Sequence, residues 1–448
     1  MLRCKILVLP VWIGLLAFSA LPISAQTPNV TPDSIPFAPA ENYGAGDFPT
    51  SVFCADLDTD TDLDLAVANY ATDDVSILLN NGDGTFQSAV NYGAGDHPYS
   101  IFCADLDQDM DLDLAVANSG WDLPPGCVSI LLNNGDGTFQ SAVNYEAGDF
   151  PTSVFCADLD ADTDLDLAVA NYASDNVSIL LNNGDGTFQS AVNYGAGDMP
   201  FSVFCADLDQ DMDLDLAVAN DGSNNVSILL NNGDGTFQSA VNYEAGDSPS
   251  SVFCADLDQD MDMDLAVANF WSHDVSILFN NGDGTFQGSV NYPAGDSPNS
   301  VFCADLDTDT DLDLAVANYA SDNVSILLNN GDGTFQSAVN YGAGDGPHSI
   351  FCADLDQDMD MDLAAANVHN HNVSVLKNLI YSLVRGDVNR DGIIDLGDVV
   401  YLINYLYKGG PAPDPLWTGD ANCDYVVDID DVVYLINYLY KNGPPPGC

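Results

Sequence analysis

The feature that most limits what this chain can become is a period. The string Cys-Ala-Asp-Leu-Asp recurs with its first Asp at residues 56, 105, 158, 207, 256, 305 and 354. Five of the intervals are 49 residues and one is 53, the longer one carrying extra residues in Ser119-Gly120-Trp121-Asp122-Leu123-Pro124-Pro125-Gly126-Cys127. A second string, Asn-Gly-Asp-Gly-Thr-Phe, ends at Phe86, Phe139, Phe188, Phe237, Phe286 and Phe335. A repeat of this length is one supersecondary unit that cannot bury its apolar face alone, so the fold must be an array or a ring.

In the first repeat, four runs rich in Val, Ile, Leu, Phe and Tyr stand between clusters of Asp, Asn and Gly. They predict strands over Ser51 to Ala55, Leu63 to Asn69, Val75 to Asn80 and Thr85 to Tyr92. Asn81-Gly82-Asp83-Gly84 is a hairpin signal, because such turns need positive φ. Four strands per repeat without a helical period describe a β-propeller blade, and seven repeats predict seven blades. The seventh repeat ends after its third strand, Val373 to Leu376. The missing strand lies at the other end, where Phe37-Ala38-Pro39-Ala40-Glu41-Asn42-Tyr43 aligns with Phe86-Gln87-Ser88-Ala89-Val90-Asn91-Tyr92. The N-terminal strand is therefore expected to complete the last blade and leave no blade edge unpaired. The expected class is all-β, a seven-bladed β-propeller closed by its N-terminal strand, followed by a small all-α module.

Between the first and second strands of every blade runs Asp-x-Asp-x-Asp-x-Asp-x-Asp. The sets are Asp56, Asp58, Asp60, Asp62 and Asp64, then Asp105, Asp107, Asp109, Asp111 and Asp113. Blades three and four have Asp158, Asp160, Asp162, Asp164 and Asp166, and Asp207, Asp209, Asp211, Asp213 and Asp215. Blades five and six have Asp256, Asp258, Asp260, Asp262 and Asp264, and Asp305, Asp307, Asp309, Asp311 and Asp313. The last has Asp354, Asp356, Asp358, Asp360 and Asp362. Five carboxylates in one short loop repel one another unless a cation sits among them. Oxygens spaced two residues apart suit a hard cation with about six to eight ligands.

These repeats resemble the FG-GAP or VCBS repeats of secreted bacterial propellers and integrin heads, over residues 37 to 378. The resemblance implies calcium held by loop positions 1, 3, 5 and 9, with the main-chain carbonyl of position 7. In the first blade those are Asp56, Asp58, Asp60 and Asp64, with Asp62 offering its carbonyl, and the other six loops follow suit. The family's usual Gly at position 6 is replaced by Thr61, Met110, Thr163, Met212, Met261, Thr310 and Met359.

A second calcium pattern closes the chain. Asp387, Asn389, Asp391, Ile393, Asp395 and Asp398 form one loop, and Asp420, Asn422, Asp424, Val426, Asp428 and Asp431 repeat it 33 residues later. Helix-like runs follow, Val399 to Lys408 and Val432 to Lys441, with apolar residues at spacings of three and four. The duplicated loop and helix resemble a type I dockerin, which implies a cohesin partner, two calcium ions and two docking orientations. Tyr425 replaces the usual Gly of the second loop. The residues after loop position 9, Leu396 and Gly397 or Ile429 and Asp430, differ from the Ser-Thr pairs of well-known cellulosome dockerins.

The N-terminus has two cations by Lys5, an apolar run from Ile6 to Leu21 and a small residue at Ala25, which predicts a secretion signal over residues 1–25. That run is short for a membrane span, and no other segment qualifies. The expected organisation is signal 1–25, linker 26–36, propeller 37–378, linker 379–384 and dockerin 385–448, in a secreted or cell-surface bacterial protein. The formal charge is −62, and no Lys or Arg occurs between Ile6 and Leu376. Such a chain repels phosphate backbones, so nucleic-acid binding is excluded. Seven cysteines, Cys54, Cys103, Cys156, Cys205, Cys254, Cys303 and Cys352, hold one equivalent position per blade and read as small core residues. Cys423 and Cys448 bracket the second dockerin repeat and are expected to pair in an oxidising compartment. Cys127 has no evident partner.

The repeats differ mainly in the loop between strands two and three and in the approach to strand one, which project on one face, opposite the acidic loops. His97, Tyr99, Trp121, Phe201, Trp271, His273, His348, His369 and His371 are the candidate ligand residues of that face, for a glycan or a protein. No Gly-x-Ser-x-Gly, His-Glu-x-x-His or Gly-rich phosphate loop occurs. No repeat offers a unique carboxylate pair for glycoside hydrolysis. The reading leans to a non-catalytic recognition or adhesion propeller recruited through dockerin and cohesin. Its alternative is a component of a polysaccharide-degrading assembly, binding carbohydrate or acting on O-glycosyl bonds.

Overall fold

The computed structural model describes residues 35–120, 126–380, 385–389, 394–413, 416–423, 426–441 and 443–446. The expected signal and Trp121 lie outside them. Seven four-stranded antiparallel sheets follow one another in chain order. In the first blade the inner strand is Pro49–Ala55, then come Asp64–Asn69, Asp74–Leu78 and the outer Val90–Gly93. The seventh sheet takes its outer strand from the N-terminus: Glu41–Gly44 pairs with Asn372–Leu376, Glu41 opposite Val375 and Gly44 opposite Asn372. The expected closure of the ring is thus observed.

The second strand explains how blades stack. All six residues of Asp-Leu-Ala-Val-Ala-Asn are buried, which requires covering on both sheet faces. Alternation puts Leu and Val on one side and Ala on the other. Between blades one and two, Ala66 and Ala68 of the first meet Ile101, Cys103, Leu114 and Val116 of the second. Large residues against small ones let the sheets interdigitate without voids. The seven blade cysteines are buried free thiols in these interfaces, as expected of core residues.

The fourth strand is shorter than the sequence suggests. It spans Val90–Gly93, and Phe86 meets Asn80 only as an isolated bridge. The tight turn consumes the expected strand start: Asn81 N donates to Thr85 O at 2.9 Å, with Gly82 and Gly84 at φ 83° and 70°. Residues 87–89 then cross to the outer edge. That edge is pinned by Tyr92, whose ring meets Phe139 of the next blade edge-on at 5.3 Å.

At the axis, Phe53, Phe102, Phe155, Phe204, Phe253, Phe302 and Phe351 form a closed belt. Each ring lies 4.7–4.8 Å from its neighbours, and Phe351 returns to Phe53.

The C-terminal module has two helices, α1 (Leu396–Lys408) and α2 (Ile429–Lys441), over a core of Val388, Val399, Leu402, Ala421, Val432 and Leu435. Both start three residues before the expected runs. In α1 the reason is a capping box: Asp395 accepts from Gly397 N while Asp398 reaches back to the cap. No described helix is long and apolar enough to cross a membrane.

Candidate functional sites on the two faces

On the acidic face, Asp64 is the fixed point of the first loop. It is buried, and its Oδ2 accepts from Leu57 N at 3.0 Å while Oδ1 accepts from Asn80 N at 2.7 Å. Asp56 folds the loop back by accepting from the amides of Asp60 and Thr61 at 3.1 and 3.0 Å. Oxygens of Asp56, Asp58 and Asp64 consequently lie within 4.8 Å of one another. Asp105, Asp107 and Asp113 repeat this triple, as do Asp158, Asp160 and Asp166, and Asp207, Asp209 and Asp215. One oxygen each of Asp58, Asp107, Asp160 and Asp209 is buried with no hydrogen-bond partner.

Burial, then the neighbouring Asp60 carboxylate, pushes Asp58 above the usual carboxylate range. Burial pushes Asp64, Asp113, Asp166, Asp215 and Asp264 up to about 7, and Asp362 to about 8. Desolvated like charges with an orphaned lone pair are the electrostatic complement of a hard cation. The residues present therefore fit the ion that the sequence implies.

The replaced glycines are explained by backbone geometry. Thr61, Met110, Thr163, Met212, Met261, Thr310 and Met359 all adopt φ between 76° and 82°. The loop keeps the left-handed turn that Gly would supply freely, at about 1–2 kcal/mol of local strain each. Position 7 is also accounted for. Gln357 of blade seven donates to Asp62 Oδ1 of blade one. Gln108 does the same to Asp164, Gln210 to Asp262 and Gln259 to Asp311. These four side chains are tied between neighbouring loops, which leaves the main-chain carbonyl of position 7 for a cation.

In the C-terminal module, Asp398 Oδ1 accepts from Val388 N and Asn389 N, and Oδ2 from Asp395 N at 2.8 Å. Asp431 repeats this with Asn422 N and Asp428 N. The position-12 carboxylates thus shape both loops. Asp420 is also paired with Arg385 Nη1 at 2.8 Å. Asp391, Ile393 and Asp424 lie outside the described residues. Cys423 is disulfide-bonded, and its expected partner Cys448 is outside them too.

On the opposite face the eight described candidate ligand residues divide. His273 and His371 serve the backbone: their Nδ1 atoms accept from Ser297 N at 2.9 Å and Phe48 N at 3.1 Å. Asp73, Asp175, Asn224 and Asp322 do this at the equivalent turns. His369 Nε2 meets Tyr319 OH at 3.0 Å, and Trp271 is 65% exposed beside Phe270. His97 lies against Tyr70 at 4.5 Å with the rings tilted by 58°, and a ring nitrogen of His97 lies within 4.8 Å of oxygens of Asp73 and Asp96.

Tyr99, Phe201 and His348 converge. They come from blades two, four and seven and meet at the mouth of the central channel, with ring centroids 5.6 Å apart for Tyr99–Phe201 and 5.4 Å for Tyr99–His348. Tyr99 OH lies 3.2 Å from His348 Nε2, and His348 Nδ1 lies 2.7 Å from Thr50 O. Burial lowers His348 to about 4 and raises Tyr99. The cause of the convergence is a bulge. In every blade the register of the inner strand shifts between Pro and Ser, at Pro49/Ser51 in the first. The residue between them is re-aimed into the mouth. The inner strands read Pro-x-Ser-(Val or Ile)-Phe-Cys-Ala throughout, and x is Thr50, Tyr99, Thr152, Phe201, Ser250, Asn299 or His348. Strand alternation alone would have turned x outward. The one freely varying letter in seven near-identical strands was the available signal.

Comparison with known proteins accords with both halves. The FG-GAP-like repeat model matches residues 56–116, 105–169, 158–218, 207–267, 256–316 and 305–365. The dockerin type I domain model matches residues 385–443. No curated protein matches the chain. Among solved structures, similarity extends to an Agrocybe aegerita lectin described as specifically recognising non-reducing terminal N-acetylglucosamine. It is 21% identical at TM-score 0.50, covering 69% of this chain and 90% of that one. BBS1N in complex with ARL6DN is 16% identical at TM-score 0.54, covering 76% and 97%. A catalytically inactive virginiamycin B lyase from Staphylococcus aureus with quinupristin is 10% identical at TM-score 0.52, covering 76% and 99%. At these identities the likeness is one of fold.

Proposed function

The chain belongs to the FG-GAP-like repeat family and ends in a type I dockerin domain, and from this pairing we propose a secreted, calcium-stabilised recognition or adhesion propeller without catalysis of its own. The dockerin implies assembly with a cohesin-bearing partner in an extracellular or cell-surface complex. The observation that carries the reading is the contrast between faces. Seven near-identical acidic loops occupy one, and six different residue types fill the seven equivalent positions at the mouth of the other.

Calcium in this reading is held in each blade by Asp positions 1, 3, 5 and 9 and the carbonyl of position 7, and in the dockerin by the two loops opening at Asp387 and Asp420. It cross-links the loop, neutralising carboxylates that otherwise repel. The division at residues 37–378 and 385–448 and the export signal at 1–25 belong to the same proposal. The absence of any Asp or Glu among the residues lining the mouth supports binding over glycoside hydrolysis there.

Docking is supported by paired apolar residues on the two helices. Leu396, Val400 and Tyr407 of α1 are exposed, as are their counterparts Ile429, Val433 and Tyr440 of α2. Each trio lies 33 residues from the other. The test is capture of the full chain on a panel of immobilised cohesin modules, in calcium and after its removal. Calcium-dependent capture by at least one cohesin is expected. Failure with every class would overturn recruitment by this route.

A further inference from the structure

The mouth of the central channel differs chemically from the rest of the molecule. Twelve residues line a concavity of about 90 Å³ that opens to solvent, and none is charged at neutral pH, in a chain with 69 acids. Its walls are Tyr99, Phe201, Asn299, His348 and the Thr and Ser of the remaining blades. Below them is a ring of serines. Each Oγ accepts from the amide of the next blade at 3.3 Å, Ser51 from Ile101 and Ser349 from Val52, so its O–H remains for donation. Asp221, a carboxylate whose charge acts on Tyr99, is turned toward Tyr172 and Ser248.

This lining selects a ligand class by elimination. A metal ion would find no carboxylate here. An anion would enter against the field of a chain of charge −62. Thr50, Thr152 and Ser250 already donate to main-chain carbonyls, but a wholly apolar ligand would strand the O–H groups of the serine ring without partners. What remains is a neutral molecule with both apolar faces and many hydroxyls. The polar groups are preorganised for it. His348 Nδ1 donates to Thr50 O, which fixes Nε2 as acceptor for Tyr99 OH, and Asn299 Nδ2 donates to His348 O at 2.7 Å.

We propose that the channel mouth seats one neutral sugar ring, end-on, with the contacting pair Tyr99 and Phe201 together against one apolar side and the serine, threonine and asparagine groups on its hydroxyls. This rests on reading the propeller as a recognition module and names its site and ligand class. The test is saturation-transfer NMR on the full chain in calcium with D-glucose, D-galactose, D-mannose and N-acetyl-D-glucosamine. The variant is Tyr99→Thr, Phe201→Thr and His348→Thr combined, which copies residues that blades one and three already carry as Thr50 and Thr152. At least one sugar is expected to bind, with affinity about tenfold or more weaker in the triple variant. Phe201→Thr alone, which leaves the Tyr99–His348 bond intact, should weaken it by a smaller factor. No signal from any of the four sugars overturns the proposal. Equal binding by wild type and triple variant also overturns it, while leaving recognition elsewhere on the face untouched. Cohesin capture of the same proteins reads the recruitment half separately.

Discussion

Removing calcium should reverse the way stability depends on pH. Asp64 and Asp113 are 1% and 0% exposed and are held at about 7 by burial. In the unfolded chain an Asp titrates near 3.9. Between those values the native state without metal binds more protons than the unfolded state, so its stability must fall as pH rises. The contribution is complete below about pH 4 and gone above about pH 7. Three pKa units correspond to about 4 kcal/mol for one blade. A domain's whole stability is about 5–15 kcal/mol, so even a fraction of that penalty in each of seven blades is severe. One blade's share alone moves the Tm by on the order of 5–10 °C. With calcium bound, the ion takes the proton's place and the slope should vanish or change sign. The assay is thermal unfolding by circular dichroism from about pH 5 to about pH 8, with protein stripped over a chelating resin and with calcium restored. Stripped protein should melt lower at each step upward in pH. A stripped Tm that stays flat or rises across that range would refute the argument that these buried carboxylates need a counter-charge.

Asn80 Nδ2 donates to Leu63 O and, across the blade boundary, to Leu355 O, while its Oδ1 accepts from Gly82 N and Gly84 N. Asn80→Ala should cost about 2–4 kcal/mol in urea unfolding, against under about 1 kcal/mol for the exposed neighbour Asn81→Ala. Removing residues 1–44 deletes the closing strand and the Tyr43–Phe86 contact, and should accelerate unfolding in stopped-flow mixing well beyond the rate for a deletion ending at residue 34. In the dockerin, Val400→Asp or Val433→Asp alone should leave cohesin capture largely intact, whereas the double variant should lose it by about a hundredfold or more on a biosensor surface.

Much of the architecture was legible because each repeat repeats its own evidence. The period, the Asn-Gly-Asp-Gly turns and the displaced strand at Phe37 to Tyr43 led to seven blades and their closure. Loop positions 1, 3 and 9 were legible as a cluster, since two-residue spacing already turns their oxygens to one side. What escaped depends on contacts between blades or on local departures from regularity. Gln357 reaches Asp62 across 295 residues of sequence, which no local pattern encodes. Tyr99 and His348 meet because a bulge overrides strand alternation, and the Phe53 belt exists only once the ring is closed. His273 and His371 looked like ligand residues, yet they replace the Asp and Asn that accept the same turn amide elsewhere.

The seam in the seventh blade has a mechanical meaning. Asn372–Leu376 is the last strand before the dockerin, yet it is not the outermost, being flanked by Asp362–Asn367 and Glu41–Gly44. Just beyond it, Asn378 is anchored to Asp362 and Leu306, and Leu379 N reaches Pro36 O. Tension arriving through the tether therefore loads two ladders at once. An outermost last strand would instead peel, one hydrogen bond at a time. The wheel is fastened so that a pull from its anchor tightens on the strand least able to unzip.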